Sequence, residues 1–175
     1  MAGKRWLGAI ALLVVGGAVG AGGIIASTFM NQYTSTDRFC TSCHTMAVVA
    51  TEPHALNSAH ESNAAGFRVG CADCHTPATN WFTETYLHGV SSVRDTFAEF
   101  THDYSRPGVW NARRRELAGK VRDEMRANDS LTCRRCHDAA AIRPASESGR
   151  AAHAMVVSAG MTCVQCHANL VHAPQ

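Results

Sequence analysis

Residues 40–44 read Cys-Thr-Ser-Cys-His, and the same frame returns at 71–75 (Cys-Ala-Asp-Cys-His), 133–137 (Cys-Arg-Arg-Cys-His) and 163–167 (Cys-Val-Gln-Cys-His). Together the four frames take Cys40, Cys43, Cys71, Cys74, Cys133, Cys136, Cys163 and Cys166, which are all eight cysteines of the chain. Two thiols at this spacing bond to the two vinyl groups of one haem, and the adjacent histidine reaches the iron. His44, His75, His137 and His167 are therefore the proximal candidates. A disulfide framework has no use for a histidine after every second cysteine. A zinc ribbon needs two such pairs per metal and no following histidine. The reading is four covalently bound haem c groups, a modification made outside the cytoplasm.

Working outward, the composition agrees with an interior filled by something besides side chains. The 175 residues include only three Trp, three Tyr and six Phe, and much of the aliphatic content lies in the first thirty positions. There is no collagen period, no long heptad run and no large net charge, and nothing points to nucleic acid. Two propionates per haem would turn the formal +2 negative. Nine Lys or Arg face four acids between Arg106 and Arg135, which suits propionate neutralisation or, alternatively, a basic docking face.

Residues 6–29, WLGAIALLVVGGAVGAGGIIASTF, carry no charge. At ~1.5 Å per residue, twenty-four residues make about 36 Å of helix, enough to cross a bilayer with some tilt. Lys4 and Arg5 precede this run and no basic residue follows until Arg38, so the positive-inside rule leaves residues 1–5 in the cytoplasm. The remainder, 30–175, is then periplasmic, and the localisation is the bacterial inner membrane with a single pass. A cleaved signal peptide is the alternative, but the apolar run outlasts an ordinary one. Gly16 and Gly20 form a lone GxxxG, open to self-association through the anchor.

The frames start at 40, 71, 133 and 163, two short gaps around a long one, which predicts two diheme units, 40–75 and 133–167. A helical insertion, 76–132, separates them, and a C-terminal ligand segment, 168–175, follows. His60 stands sixteen residues after His44, and His153 sixteen after His137; Ala65-Gly66 and Ala159-Gly160 then lead into the next frame. This register predicts the same work for His60 and His153, that of a second axial ligand. His172 is a third candidate; His54, behind Pro53, reads as surface.

Within the insertion, Phe82, Tyr86, Val90, Val93, Phe97, Phe100 and Tyr104 step by three and four along one helix. His88, Asp95 and His102 recur every seven residues opposite, near Glu84. That polar stripe is either simply solvated or handles protons beside a haem. A second amphipathic helix is expected over about 110–127, reading as scaffold. No segment reads as a sheet. The expected fold is all-α with much irregular coil: one transmembrane helix and a tetrahaem cytochrome c domain.

The constellation resembles the NapC/NirT family of membrane-anchored tetrahaem quinol dehydrogenases. Carrying the resemblance are the anchor, the run from Asp37 through the first frame to Met46, Gly70 through the second frame to Pro77, Asn128 through the third, and His153 through the fourth to Pro174. The resemblance implies oxidation of quinol at the outer membrane face and transfer of single electrons to a soluble periplasmic reductase or cytochrome. It also implies unusual ligation at the first haem, with Met46 matching a ligating methionine as the alternative to His44, and Asp95 across the iron. His60, His153 and His172 then serve the third, fourth and second haems. Relatives often carry a lysine before the aspartate; here Leu87 and His88 stand in that place, and His88 can replace it as proton partner. Asp95 and His88 are thus the candidate quinol site. Two rival readings are a relay that never touches quinone and a chain working toward quinone reduction. An enzyme with one open iron is the weakest reading, since most haems can be fully ligated.

Overall fold

The computed structural model describes every residue except Met1, Asp103, Ser105, Arg106 and Gln175, and leaves out the side chains of Ala2, His44, Pro107 and Val157. Helix α1 runs Ala2–Thr34, continuous through the uncharged stretch and past it. Within residues 3–34 an 18-residue window reaches a mean hydropathy of 2.3, so by length and composition α1 can cross a membrane. The four short helices that follow are α2 (Asp37–Cys40), α3 (His44–Ala50), α4 (Pro53–Leu56) and α5 (Cys71–His75). Two long ones, α6 (Trp81–Thr101) and α7 (Pro107–Ala127), fill the insertion. The rest are α8 (Leu131–Arg134), α9 (Glu147–Ser158) and α10 (Cys163–Cys166). No strand occurs among the described residues.

Local chemistry explains the boundaries. Asn80 Oδ1 accepts the Thr83 N–H at 3.1 Å while Thr83 Oγ1 accepts the Asn80 N–H at 3.1 Å, a reciprocal cap that starts α6. At its far end His102 Nδ1 donates to the Ala98 carbonyl at 3.0 Å, and the ring stacks on Tyr104 at 5.4 Å. His102 thus closes the helix. Ser146 caps α9 by accepting the Gly149 N–H at 3.0 Å. In both Ala-Gly pairs the glycine is left-handed, with φ of +69° at Gly66 and +62° at Gly160, which only glycine adopts freely.

Packing follows chain order only in part: α1 lies against α6, α5 against α2 and α8, and α7 against α10. The hydrophobic side chains buried among the described residues are just Ala55 and Val164. Met46, Val48, Leu56 and Phe67 are all at least 40% exposed, so side chains alone do not build the interior.

Helix α6 divides the polar stripe: His88 is half-buried, whereas Asp95 and His102 are exposed. Its aromatic face is the open one, from Phe82 at 76% exposed to Phe100 at 86%. The first half of the polar face is packed, because the end of α1 offers it a row of hydroxyl and amide groups. Trp81 Nε1 donates to Thr28 Oγ1 (3.0 Å), Asn31 Nδ2 donates to Thr85 Oγ1 (2.8 Å), and His88 sits between Thr34 and Ser35. Both partners climb in number together, so the two helices run parallel away from the apolar run.

Candidate haem sites and the anchor-proximal end

Three of the four frames wind as a single turn. Helix α5 is the second frame itself, and in the third and fourth the histidine N–H bonds to the first cysteine carbonyl, at 2.9 Å in each. The first frame differs: α2 ends on Cys40 and a new helix starts at His44. Its histidine and Met46 therefore share a helix that departs from the attachment turn.

The first cysteines of neighbouring frames adjoin. Before attachment, a hydrogen bond between the Cys40 and Cys71 thiols pulls Cys40 down and pushes Cys71 up. Burial raises Cys133, and Cys163 beside it adds to the rise. A second correspondence lies three residues before the first cysteine of each pair. Asp37 Oδ1 accepts the Cys71 N–H (2.7 Å), and Ser130 Oγ accepts the Val164 N–H (3.2 Å), so each residue fastens the start of the following frame. Sequence reading missed both, although their shared offset of three was visible. Asp37 also pairs with Arg68 (2.7 Å), which bonds Glu61 (2.8 Å). Burial raises the Asp37 carboxyl, but the Cys71 N–H and the Arg68 charge outweigh it and hold the group below the ordinary carboxylate range. Gly70 lets this approach happen: a Cβ there would meet Asp37 Oδ1 at 3.1 Å.

The histidines beyond the frames meet the proximal ones in three pairs. Ring centres lie 6.1 Å apart for His75 and His172, 6.1 Å for His60 and His137, and 5.9 Å for His153 and His167. An imidazole nitrogen sits about 2 Å from a bound first-row metal and the ring centre about 1 Å further, so two rings sharing one metal stand about 6 Å apart. The three pairs fit one iron each. His153 Nδ1 donates to the Gly149 carbonyl (2.8 Å), which leaves Nε2 as the nitrogen with a lone pair. His172 Nδ1 is buried without a hydrogen-bond partner. Burial, with Arg114 nearby, pushes the His172 imidazole below its ordinary value. The equal spacing of His60 and His153 does not carry over into space, since His60 meets the third frame and His153 the fourth.

At the first frame, buried Thr45 donates to Glu99 Oε2 at 2.8 Å. Asp95, on the same helix, is exposed and paired with Arg94 at 2.8 Å. Burial, then the Glu99 charge and more weakly that of Asp95, push the Cys43 thiol up. Glu99 is thus the carboxylate bonded to the residue that follows the first frame, one that heptad reading passed over because it falls outside the stripe. His88 is half-buried seven residues before Asp95, its Nδ1 3.0 Å from Thr34 Oγ1 and its Nε2 3.1 Å from Ser35 Oγ.

The cations of the insertion are largely spoken for within the chain. Arg113 and Lys120 pair with Glu116, Arg126 with Asp123, Arg134 with Asp129, and Arg114 with Glu52. Arg135 donates to the Thr76 and Ala78 carbonyls.

The model for the NapC/NirT cytochrome c family, N-terminal region, matches residues 3–175. The chain belongs to the NapC/NirT cytochrome c family. Membership makes it a membrane-anchored c-type cytochrome of electron transport, with haem c bound covalently. It is similar to a tetraheme cytochrome c-type protein of Nitrosomonas europaea, 36% identical over 94% of this chain and 70% of that protein. It is also similar to cytochrome c-type protein NapC of Haemophilus influenzae, 30% identical over 94% of this chain and 81% of the relative. Cytochrome c-type protein TorC of Escherichia coli K12 is 34% identical over 96% of this chain. The chain spans 43–47% of the length of the TorC and TorY proteins it matches. No solved structure matches it.

Proposed function

We propose that this NapC/NirT cytochrome is a quinol dehydrogenase of the bacterial inner membrane, with its haem domain in the periplasm and a soluble periplasmic reductase or cytochrome as acceptor. Haem c, when bound, supplies a one-electron carrier whose potential follows its axial ligands. His75 with His172, His137 with His60, and His167 with His153 would hold three of the irons. His44 or Met46 would hold the first, with Asp95 as a further candidate ligand there. The three ring separations support the paired set.

One observation carries the quinol reading: a titratable imidazole, His88, is held at the outer end of the anchor. A quinol gives up two protons with its two electrons, so a proton acceptor must stand where the membrane ends and the first haem begins. Thr34 Oγ1 donates to the Met30 carbonyl at 2.8 Å and Ser35 Oγ to the Asn31 carbonyl at 2.8 Å. With both hydroxyl protons so committed, both oxygens present lone pairs to the ring. A protonated His88 then donates from both nitrogens, and the loss of one proton is met by turning one hydroxyl. Asp95 and Glu99 follow two to three turns further along α6, Glu99 bonded to Thr45 beside the first frame.

The test is anaerobic mixing of the oxidised, detergent-purified cytochrome with a menaquinol and then a ubiquinol analogue, following the haem α-band. Fast reduction by either is expected. His88→Gln should slow it about 10²-fold while reduction by dithionite stays normal. Failure of both quinols, with full reduction by dithionite, would sink the quinol reading in favour of a relay or of the quinone-reducing direction.

A further inference from the structure

Among the described residues no helix follows α10, so His172 stands on an irregular run at 167–174 with turns and bends at 168–172. Little apolar burial seats that run, since Leu170 is 47% exposed. Two hydrogen bonds grip it at Asn169. His54 Nε2 donates to the Asn169 carbonyl (2.9 Å), and Arg122 Nη2 donates to Asn169 Oδ1 (3.2 Å). One gripping residue lies on α4 and the other on α7. Those two helices are themselves fastened by Glu52 and Arg114, where both carboxylate oxygens accept from the guanidinium, with Nη2 to Oε2 at 2.6 Å. The two side chains are only 15% (Arg114) and 20% (Glu52) exposed. Glu52 stands two residues before His54, and Arg114 eight before Arg122, about two turns of α7. Glu52 caps α4, on which His54 lies, and Arg114 and Arg122 both lie on α7, so each side gives one residue to the brace and one to the grip.

We infer that Glu52, Arg114 and His54 form a clasp that positions His172 opposite His75 at the second haem. The inference rests on the reading of His172 as a ligand there. None of the three touches the iron; they are positioning residues. His54 thereby has work that does not involve ligation: it holds a backbone carbonyl three residues before the ligand. Planarity and the two-point match explain arginine at 114, since a lysine can serve only one carboxylate oxygen at a time.

The test uses the full-length holoprotein in detergent, reduced with dithionite and titrated with carbon monoxide, which binds ferrous haem only where an axial position opens. Haem content is measured in parallel as the pyridine haemochrome. His172→Ala is the reference and should gain about one carbon monoxide per chain over the parent, with its haems retained. His54→Ala and Arg114→Met should each show a partial gain at that haem and a new high-spin ferric signal. Arg114→Lys should recover part of the loss. If Arg114→Met fails to accumulate, His54→Ala, which removes one bond from an exposed residue, carries the test alone. A gain in His172→Ala with none in His54→Ala or Arg114→Met would overturn the clasp and leave the ligand reading intact. No gain in His172→Ala would overturn the ligand reading itself, and the clasp with it.

Discussion

Ser130 is the residue through which the third frame holds the fourth, and its replacement separates two contributions that usually act together. The side chain is 0% exposed and its Oγ accepts the N–H of Val164, itself 5% exposed. The backbone is left-handed at Ser130, φ +52°, and at Asp129 before it, φ +56°. Ser130→Ala strands the Val164 N–H away from water, which costs about 1–3 kcal/mol. Ser130→Gly strands the same N–H but removes a Cβ from a conformation that costs an L-residue about 1 kcal/mol. Glycine should therefore be the milder of the two changes, a reversal of the usual order at a buried position. The assay is urea denaturation of the holoprotein together with hydrogen exchange of the peptide covering 160–168. A loss of 1–3 kcal/mol corresponds to roughly five- to hundredfold faster exchange at Val164 in the alanine variant. If both variants match the parent within about 0.5 kcal/mol, Ser130 is not the link between the frames; if alanine is the better tolerated, the left-handed backbone does not set the order.

Other expectations follow from the same structure. Asp37 has a depressed carboxyl, so its stabilising effect is fully present above the ordinary aspartate range and disappears as pH falls through the depressed value. Asp37→Asn should thus be less stable than the parent at pH 7, with the two converging in acid; a gap independent of pH would contradict this. Asn31→Leu removes a 2.8 Å bond to Thr85 at a 4% exposed position, and should destabilise the contact of α1 with α6 by about 1 kcal/mol, read from proteolysis at the 80s. Ser35→Ala should slow quinol oxidation several-fold, because His88 loses one of its two hydroxyl partners, while dithionite reduction is unaffected. Cys163→Ala with Cys166→Ala should lower the pyridine haemochrome from four haems towards three, since each frame attaches its own group.

What could be read from the sequence was whatever a short window contains. Haem attachment needs five adjacent residues and an anchor about twenty, so both stand out without knowledge of the fold. The periodicity of α6 likewise announces a two-faced helix. It does not say what each face meets, and here the first half of the polar face meets α1 because Thr28, Asn31, Thr34 and Ser35 happen to emerge beside it. The matched spacing of His60 and His153 is real as a repeat, yet which frame each ring approaches is decided by packing between halves. Glu52 and Arg114 lie 62 residues apart, and His54 answers a carbonyl 115 residues away. Neither has a local signature. Glu99 escaped notice for a different reason: a seven-residue stripe selects by period, and Glu99 lies one turn past Asp95.

The parallel course of α1 and α6 bears on how this protein can be handled. Cutting the chain near residue 35 to obtain a water-soluble head would remove Thr28, Asn31 and Thr34, and with them the partners of Trp81, Thr85 and His88. The anchor is a wall of the domain as well as its mooring. A soluble fragment would keep its cysteines while losing the surroundings of His88. Bilayer thickness becomes an input for the same reason: tilting α1 in a thinner membrane swings the row of hydroxyls that α6 leans on.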